Sequence, residues 1–267
     1  MCGIAGIFSP KGIEVDHLTL MSTALQHRGP DGHGYMLFSK EQGIRVVVKG
    51  DISRCRPQRE YVGFAHRRLS IIDLSEASYQ PMKDESNTYC VTYNGELYNY
   101  LDLKEELQVL GYSFKTAGDT EVLLRAYQAW GPKCMQKFNG MWAFVLLDAH
   151  NQCLILSRDR FGIKPLYYMI RDNTLYFASE IKGLFAVPSN NKKPNERVVA
   201  KYLLTGLIDD SEETFFEGVF QFPAAHWSRI SLNDDKLLIK PQRYWSLPRF
   251  KYQGTEQDAV MTFRELC

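Results

Sequence analysis

No two of the six cysteines in this 267-residue sequence form a C-x-x-C pair, and none of its six histidines falls beside them at zinc-ligand spacing. Neither a metal site nor a disulfide framework is expected. Cys55, Cys90, Cys134, Cys153 and Cys267 then read as core filler or bystanders in a reducing compartment. A basic run is also missing: 32 Lys+Arg against 31 Asp+Glu leave a formal net charge of +1. That argues against a nucleic-acid or anionic-membrane partner, since either needs a concentrated cationic face. The N-terminus has no basic n-region, and its apolar stretch is too short for a signal peptide or a membrane span, so a cytoplasmic location is expected. No internal repeat or low-complexity tract occurs. What is present is 45% hydrophobic residues, ample for a sizeable core, and a balance of charge that favours small-molecule chemistry.

The chain is organised around its first eight residues, Met1-Cys2-Gly3-Ile4-Ala5-Gly6-Ile7-Phe8. Methionine is normally trimmed before so small a residue, which would leave Cys2 with both a thiol and a free α-amine. The amine, with a reference pKa of about 7.7–8.0, can take the thiol's proton, so one residue supplies nucleophile and base. Ile4, Ile7 and Phe8 would anchor this segment in a core.

Leu18, Met21 and Leu25 recur at helical spacing and predict an amphipathic helix over residues 15–26. His27-Arg28-Gly29-Pro30-Asp31-Gly32 follows as a sharp loop that gathers basic and acidic groups. Strands are expected at 33–39, 44–49, 61–66 and 89–93, the last running into a turn at Asn94-Gly95. One helix carries Leu103, Leu107 and Leu110 and stops at Gly111; a second opens at Gly118-Asp119 and ends at Gly131-Pro132. From Met141 to Leu147 both faces are apolar, which reads as a buried central strand. Strands at 153–157, 166–170 and 174–178 complete a meander. The polar run from Pro188 to Pro194 reads as the edge of the compact domain, giving 1–186 as one unit and 187–267 as a second. That second unit holds a helix at 195–204, a β-like segment at 226–232 and an uncapped helix from Glu256.

Attack of a thiolate on a carboxamide creates an oxyanion, and an Asn amide beside a glycine N–H at a tight turn offers two preorganised donors for it. Asn94-Gly95 has that form. Arg68 could hold a substrate carboxylate with its forked guanidinium, while Asp119 or Glu96 could accept from an α-ammonium. Together these describe a pocket for a free amino acid bearing a side-chain amide, glutamine or asparagine, faced by an N-terminal thiol.

Six segments, residues 1–7, 27–32, 66–73, 93–99, 118–121 and 159–168, occur in the order in which they stand in a known family. The chain resembles the class II glutamine amidotransferase domain of glutamine-hydrolysing asparagine synthetases, strongly over residues 1–185 and more faintly through Phe215-Phe216-Glu217-Gly218 and Arg243-Tyr244-Trp245. The resemblance implies an α+β fold, the N-terminal-nucleophile αββα sandwich of two largely antiparallel sheets, followed by a connector. It makes Cys2 the nucleophile and sets L-glutamine against Arg68, Leu69, Ser70, Ile71, Ile72, Asn94, Gly95, Glu96 and Asp119. No cofactor is implied for this half; ATP and Mg²⁺ are implied for a synthetase domain. A homodimer is left open.

Two departures stand out. Pro223-Ala224-Ala225-His226 has alanine where relatives have glycine before the histidine, which bears on the connector's turn. The Ser-Gly-Gly-x-Asp-Ser loop that opens the family's nucleotide site is absent, so the chain reads as the glutaminase part of a longer synthetase. Two alternatives compete. Glucosamine-phosphate and phosphoribosylamine synthases carry a Thr-Arg-Trp-Ala-Thr-His-Gly-like segment where this chain has Ala65-His66-Arg67-Arg68-Leu69-Ser70. A catalytically idle amino-acid-binding domain would be expected to have lost Cys2, Asn94 or Asp119.

Overall fold

The computed structural model describes residues 1–50, 52, 59–70, 75–190, 192–208, 210–248 and 252–266. Strand alternation sends successive side chains to opposite faces of a sheet, and here it sorts the apolar residues into three layers of core. In β1 (Gly3–Phe8), Ile4 and Phe8 point to one side while Ala5 and Ile7 point to the other. β4 (Val62–Arg68) repeats the pattern with Val62 and Phe64 against Ala65. In β6 (Tyr89–Leu97), Cys90 opposes Val91 and Tyr93, and in β7 (Gly140–Asp148), Ala143, Val145 and Leu147 oppose Trp142, Phe144 and Leu146.

Two fully antiparallel sheets result. The first adds β2 (Gly32–Ser39), β3 (Gly43–Val48), β9 (Tyr167–Arg171), β10 (Thr174–Ala178) and β11 (Val219–Gln221), in the order β11-β9-β10-β1-β4-β2-β3. The second adds β5 (Met82–Lys83), β8 (Cys153–Arg158), β12 (His226–Ser231) and β13 (Gln242–Arg243), in the order β13-β12-β8-β7-β6-β5. Ile4, Phe8 and Phe64 of the first meet Val145, Leu147, Leu154 and Leu156 of the second in the core between the sheets.

Helices cover the outer faces. Leu18, Met21 and Leu25, from α1 (Val15–Ala24) and the residue after it, pack on Ala5, Ile7 and Ala65, joined by Leu184 of α5 (Ile181–Leu184). Leu103 and Leu107 of α2 (Tyr100–Val109), Val122, Leu123 and Ala126 of α3 (Asp119–Trp130), and Cys134 and Met135 of α4 (Cys134–Lys137) cover Val91, Tyr93 and Phe144. The architecture is the α+β sandwich of two antiparallel sheets between helices. The expected helices, and most of the expected strands, lie within a few residues of their observed bounds.

One element runs differently. β6 does not stop at Tyr93 but stays paired with β7 as far as Leu97↔Gly140, so Asn94-Gly95 lies inside a strand and not in a turn. Asn-Gly is a local turn signal, overridden here by pairing with a strand over 40 residues away in sequence. Beyond residue 187, β11 extends the first sheet beside β9 and β12 extends the second beside β8. α6 (Glu196–Thr205) is capped by the Asn195 side chain accepting from the Val198 N–H, and α7 (Glu256–Leu266) follows the connector.

The turn into β12 is built on Ala225 with φ of 60°, in the left-handed region, its N–H donating to the Asp159 carbonyl and its carbonyl accepting from the Tyr244 N–H. This is the position at which the family resemblance leads one to expect glycine. The left-handed region costs an L-residue about 1–2 kcal/mol, and glycine returns about 0.5–1 kcal/mol of that as unfolded-chain entropy. Ala225→Gly is therefore expected to stabilise the protein by about 0.5–1 kcal/mol, read as a raised denaturation midpoint at unchanged slope. A destabilised variant would mean that the alanine methyl's packing outweighs the backbone strain.

Candidate active site

The inner faces of β1, β4 and β6 start apolar and turn polar towards one end. Continuing the register of Ile4, Phe64 and Cys90 by steps of two reaches Cys2, then His66 and Arg68, then Thr92 and Asn94. The His66 Nδ1 and Thr92 Oγ1 lie 3.3 Å apart across the sheets, so these faces look at one another. Burial pushes the His66 imidazole down to about 3, helped by Arg68, and it stays neutral under working conditions. Around this end lies a cavity of about 470 Å³ lined by Cys2, Arg68, Leu69, Ser70, Asn94, Gly95, Glu96 and Asp119, among others. Ile71 and Ile72 lie outside the described residues.

Cys2 is held from two directions. Its Sγ accepts from the Leu69 N–H at 3.3 Å and lies 3.5 Å from the Leu69 carbonyl. Its carbonyl accepts from Arg28 Nε at 2.8 Å, and Arg28 in turn donates to Glu180 at 2.7 Å. Burial would push the Glu180 carboxyl up, but hydrogen bonds from Arg28, His27 and Lys182 override it and hold the group at about 2. Asp31 of the same loop accepts from the Ser70 N–H at 2.8 Å, and its own N–H donates to the Arg68 carbonyl at 3.0 Å. The loop therefore fixes both Cys2 and the segment facing it. Burial raises the Cys2 thiol above its ordinary value, while the Leu69 N–H, the chain's N-terminal charge, Arg68 and Lys164 pull it back.

Asn94 is 1% exposed and its Nδ2 has no hydrogen-bond partner among the described residues. A buried amide left unpaired costs about 1–3 kcal/mol, so such a group marks a place where a ligand atom belongs. Gly95 supplies a second donor. The Tyr93 and Leu97 N–H groups bond the Gln80 and Asp119 side chains, and therefore point away from β7. Gly95 lies between them, so its N–H leaves the ladder on the same open side. A Cβ at Gly95 would sit 2.3 Å from the Met141 carbonyl oxygen, which only glycine avoids.

Asp119 opens α3, and its Oδ2 accepts from the Tyr93 hydroxyl at 2.8 Å and the Leu97 N–H at 2.9 Å. Burial raises its carboxyl despite these bonds. Arg68 is buried, lies 4.5 Å from the Tyr79 ring centroid and donates to Ser78. Arg67 faces the other way, its Nε donating to the Ser22 carbonyl and hydroxyl of α1. Sequence reasoning missed several residues at the cavity: Gln80, which donates to Thr120 while accepting from the Tyr93 N–H; Gly118; and Lys164. Lys164 stands in the 159–168 segment with no local signal that its side chain reaches the cavity.

With Cys2, two convergent donors and a buried arginine gathered at one end of an αββα sandwich, the molecule has the form of a glutamine amidotransferase domain. Residues 50–245 match the family model of the glutamine amidotransferase domain, and the chain belongs to that family. It is 35% identical over 268 residues to a putative glutamine-hydrolysing asparagine synthetase 2 of Methanocaldococcus jannaschii, covering 94% of this chain and 48% of the relative. Against glutamine-hydrolysing asparagine synthetase 1 of Bacillus subtilis the identity is 38% over 208 residues, covering 76% and 29%. The chain thus spans less than half the length of these curated relatives. In fold it matches the glutamine phosphoribosylpyrophosphate amidotransferase of B. subtilis, with a TM-score of 0.64 at 20% identity over 90% of this chain and 49% of that one. No helix among the described residues is long and apolar enough to cross a membrane.

The two arginines give a test of which face does what. Arg68→Lys keeps the charge and loses the fork, so the KM for glutamine should rise roughly 10–100-fold, about 1.5–3 kcal/mol for a charge-assisted hydrogen bond. Arg67→Lys should lower stability by about 1 kcal/mol through the lost Ser22 contacts and leave KM alone. Steady-state kinetics with the two effects exchanged would reverse the assignment of faces.

Proposed function

We propose that the chain is a glutaminase, the ammonia-releasing half of a glutamine-hydrolysing asparagine synthetase. The observation that carries this reading is the unpaired Asn94 Nδ2 beside the outward Gly95 N–H, in the cavity that contains Cys2. Met1 lines that cavity and ties up the Cys2 nitrogen in a peptide bond, so its removal both clears the entrance and frees the amine.

In the reaction, the amine takes the thiol proton and the sulfur adds to the side-chain carbonyl carbon of glutamine. Asn94 and Gly95 receive the oxyanion. As the C–N bond breaks, the amine's proton goes to the departing nitrogen, which leaves as ammonia from a γ-glutamyl thioester on Cys2. Water, deprotonated by the same amine, cleaves the thioester to glutamate and restores the thiol. Arg68 holds the α-carboxylate, and Glu96 with Asp119 receives the α-ammonium, with the segment from Leu69 to Ile72 as the facing wall.

The names of the relatives support amidation of aspartate as the use of the ammonia. That step needs ATP and Mg²⁺. The described residues offer no group of three or more His, Cys, Asp or Glu side chains suited to a metal ion. On this reading both belong to a synthetase part outside these residues, and the protein works in the cytoplasm.

Asn94→Ala should lower kcat for glutamine hydrolysis by ~10²–10³-fold with a smaller change in KM, because the donor strengthens only as charge develops on oxygen. Cys2→Ala should abolish glutamate release. An Asn94→Ala enzyme with normal kcat and a raised KM would assign the amide to ground-state binding instead.

A further inference from the structure

Lys164 is 5% exposed and lines the cavity that holds Cys2. Its backbone is fixed on both sides: the N–H donates to Asp159 Oδ2 at 3.0 Å, and the carbonyl accepts from Arg158 Nε at 2.7 Å. Asp159 is fully buried, and its other oxygen accepts from the Phe161 and Ile163 N–H groups, so the whole turn is clamped to β7. The side chain, in contrast, makes no hydrogen bond or ion pair with any described residue. A lysine this buried is rare without an anion to compensate its lost hydration.

The charged and titratable groups around the cavity are few. Arg68 is engaged by Ser78 and Tyr79, and on the proposed reading a substrate carboxylate neutralises it. Asp119 accepts from Tyr93 and Leu97 through Oδ2 and, on the proposed reading, meets the α-ammonium as well, and His66 is neutral. Glu96 and the chain's amine complete the set. Once glutamine is seated, Lys164 is the side-chain cation of this set that neither the fold nor the substrate has claimed.

We propose that Lys164 acts through Cys2, as the fixed positive charge that holds the sulfur in its anionic, reactive form. This rests on Cys2 being the nucleophile. A cation that lines the same cavity as a half-buried thiol favours the thiolate electrostatically, and more strongly where the dielectric between them is low. It needs no contact with substrate, and it explains why a buried lysine is held by its backbone alone.

The test reads the thiol directly. Met1-free protein is alkylated with iodoacetamide across pH, with peptide mass analysis confirming Cys2 as the site, for wild type, Lys164→Met and Lys164→Arg. Lys164→Met should move the thiol's apparent pKa up by about one unit, so that below it alkylation slows ~10-fold, and Lys164→Arg should restore most of the loss. An unchanged profile in Lys164→Met, or equal slowing in both variants, overturns the proposal. So does failure of both Lys164→Met and Lys164→Gln to fold, which would make the lysine structural. Alkylation uses no glutamine, so a failed glutaminase reading would show separately, as glutamate release surviving Cys2→Ala.

Discussion

Two sheets packed face to face need apolar inner surfaces, and every second residue of each strand is committed to that contact. In β1, β4 and β6 the commitment holds through Ile4, Phe64 and Cys90 and lapses one or two steps further on. Cys2, His66, Arg68, Thr92 and Asn94 occupy those steps. Because they continue an inner-face register, they converge on one space between the sheets with no need for a flexible loop to bring them together. The site is the unfilled end of the core, and its precision is that of the sheet pairing.

The clamps around it follow from the same geometry. Arg28 and Asp31 lie in the loop that joins α1 to β2, and β2 pairs with β4, so one loop can reach both the Cys2 carbonyl and the Ser70 N–H. Asp159 plays the corresponding part on the second sheet, bonding the Trp142 N–H of β7 and the turn that carries Lys164. Among the described residues several buried polar atoms have no hydrogen-bond partner, and two of them, Asn94 Nδ2 and His66 Nε2, belong to residues that line the cavity.

Much of this was legible in the sequence because it is local. Leu18, Met21 and Leu25 announce α1 by spacing, and the unbroken apolar run at β7 follows from its burial against both the opposite sheet and the helices. Cys2 is legible from its position taken together with Arg68, Asn94-Gly95 and Asp119 further along the sequence. Asn94-Gly95 shows the limit: the residue types suggested two donors, which the structure brings to the cavity, and the wrong backbone, since a dipeptide's turn preference says nothing of a partner strand at Gly140–Asp148. Lys164 was invisible as a site residue because its place depends on Asp159 and on the opposite sheet. Ala225 stood out in the sequence as a departure from the family resemblance, and only the backbone, with its φ of 60°, shows why glycine would suit that position.

The account rests on Cys2 carrying the acyl group, and the most direct measurement is of that intermediate. Met1-free protein mixed with glutamine, quenched in acid within one turnover and mapped by peptide mass should carry a γ-glutamyl group on the Cys2 peptide, lost on treatment with hydroxylamine. Glutamate accumulating with no modification at Cys2, or with the group on another residue, would contradict it.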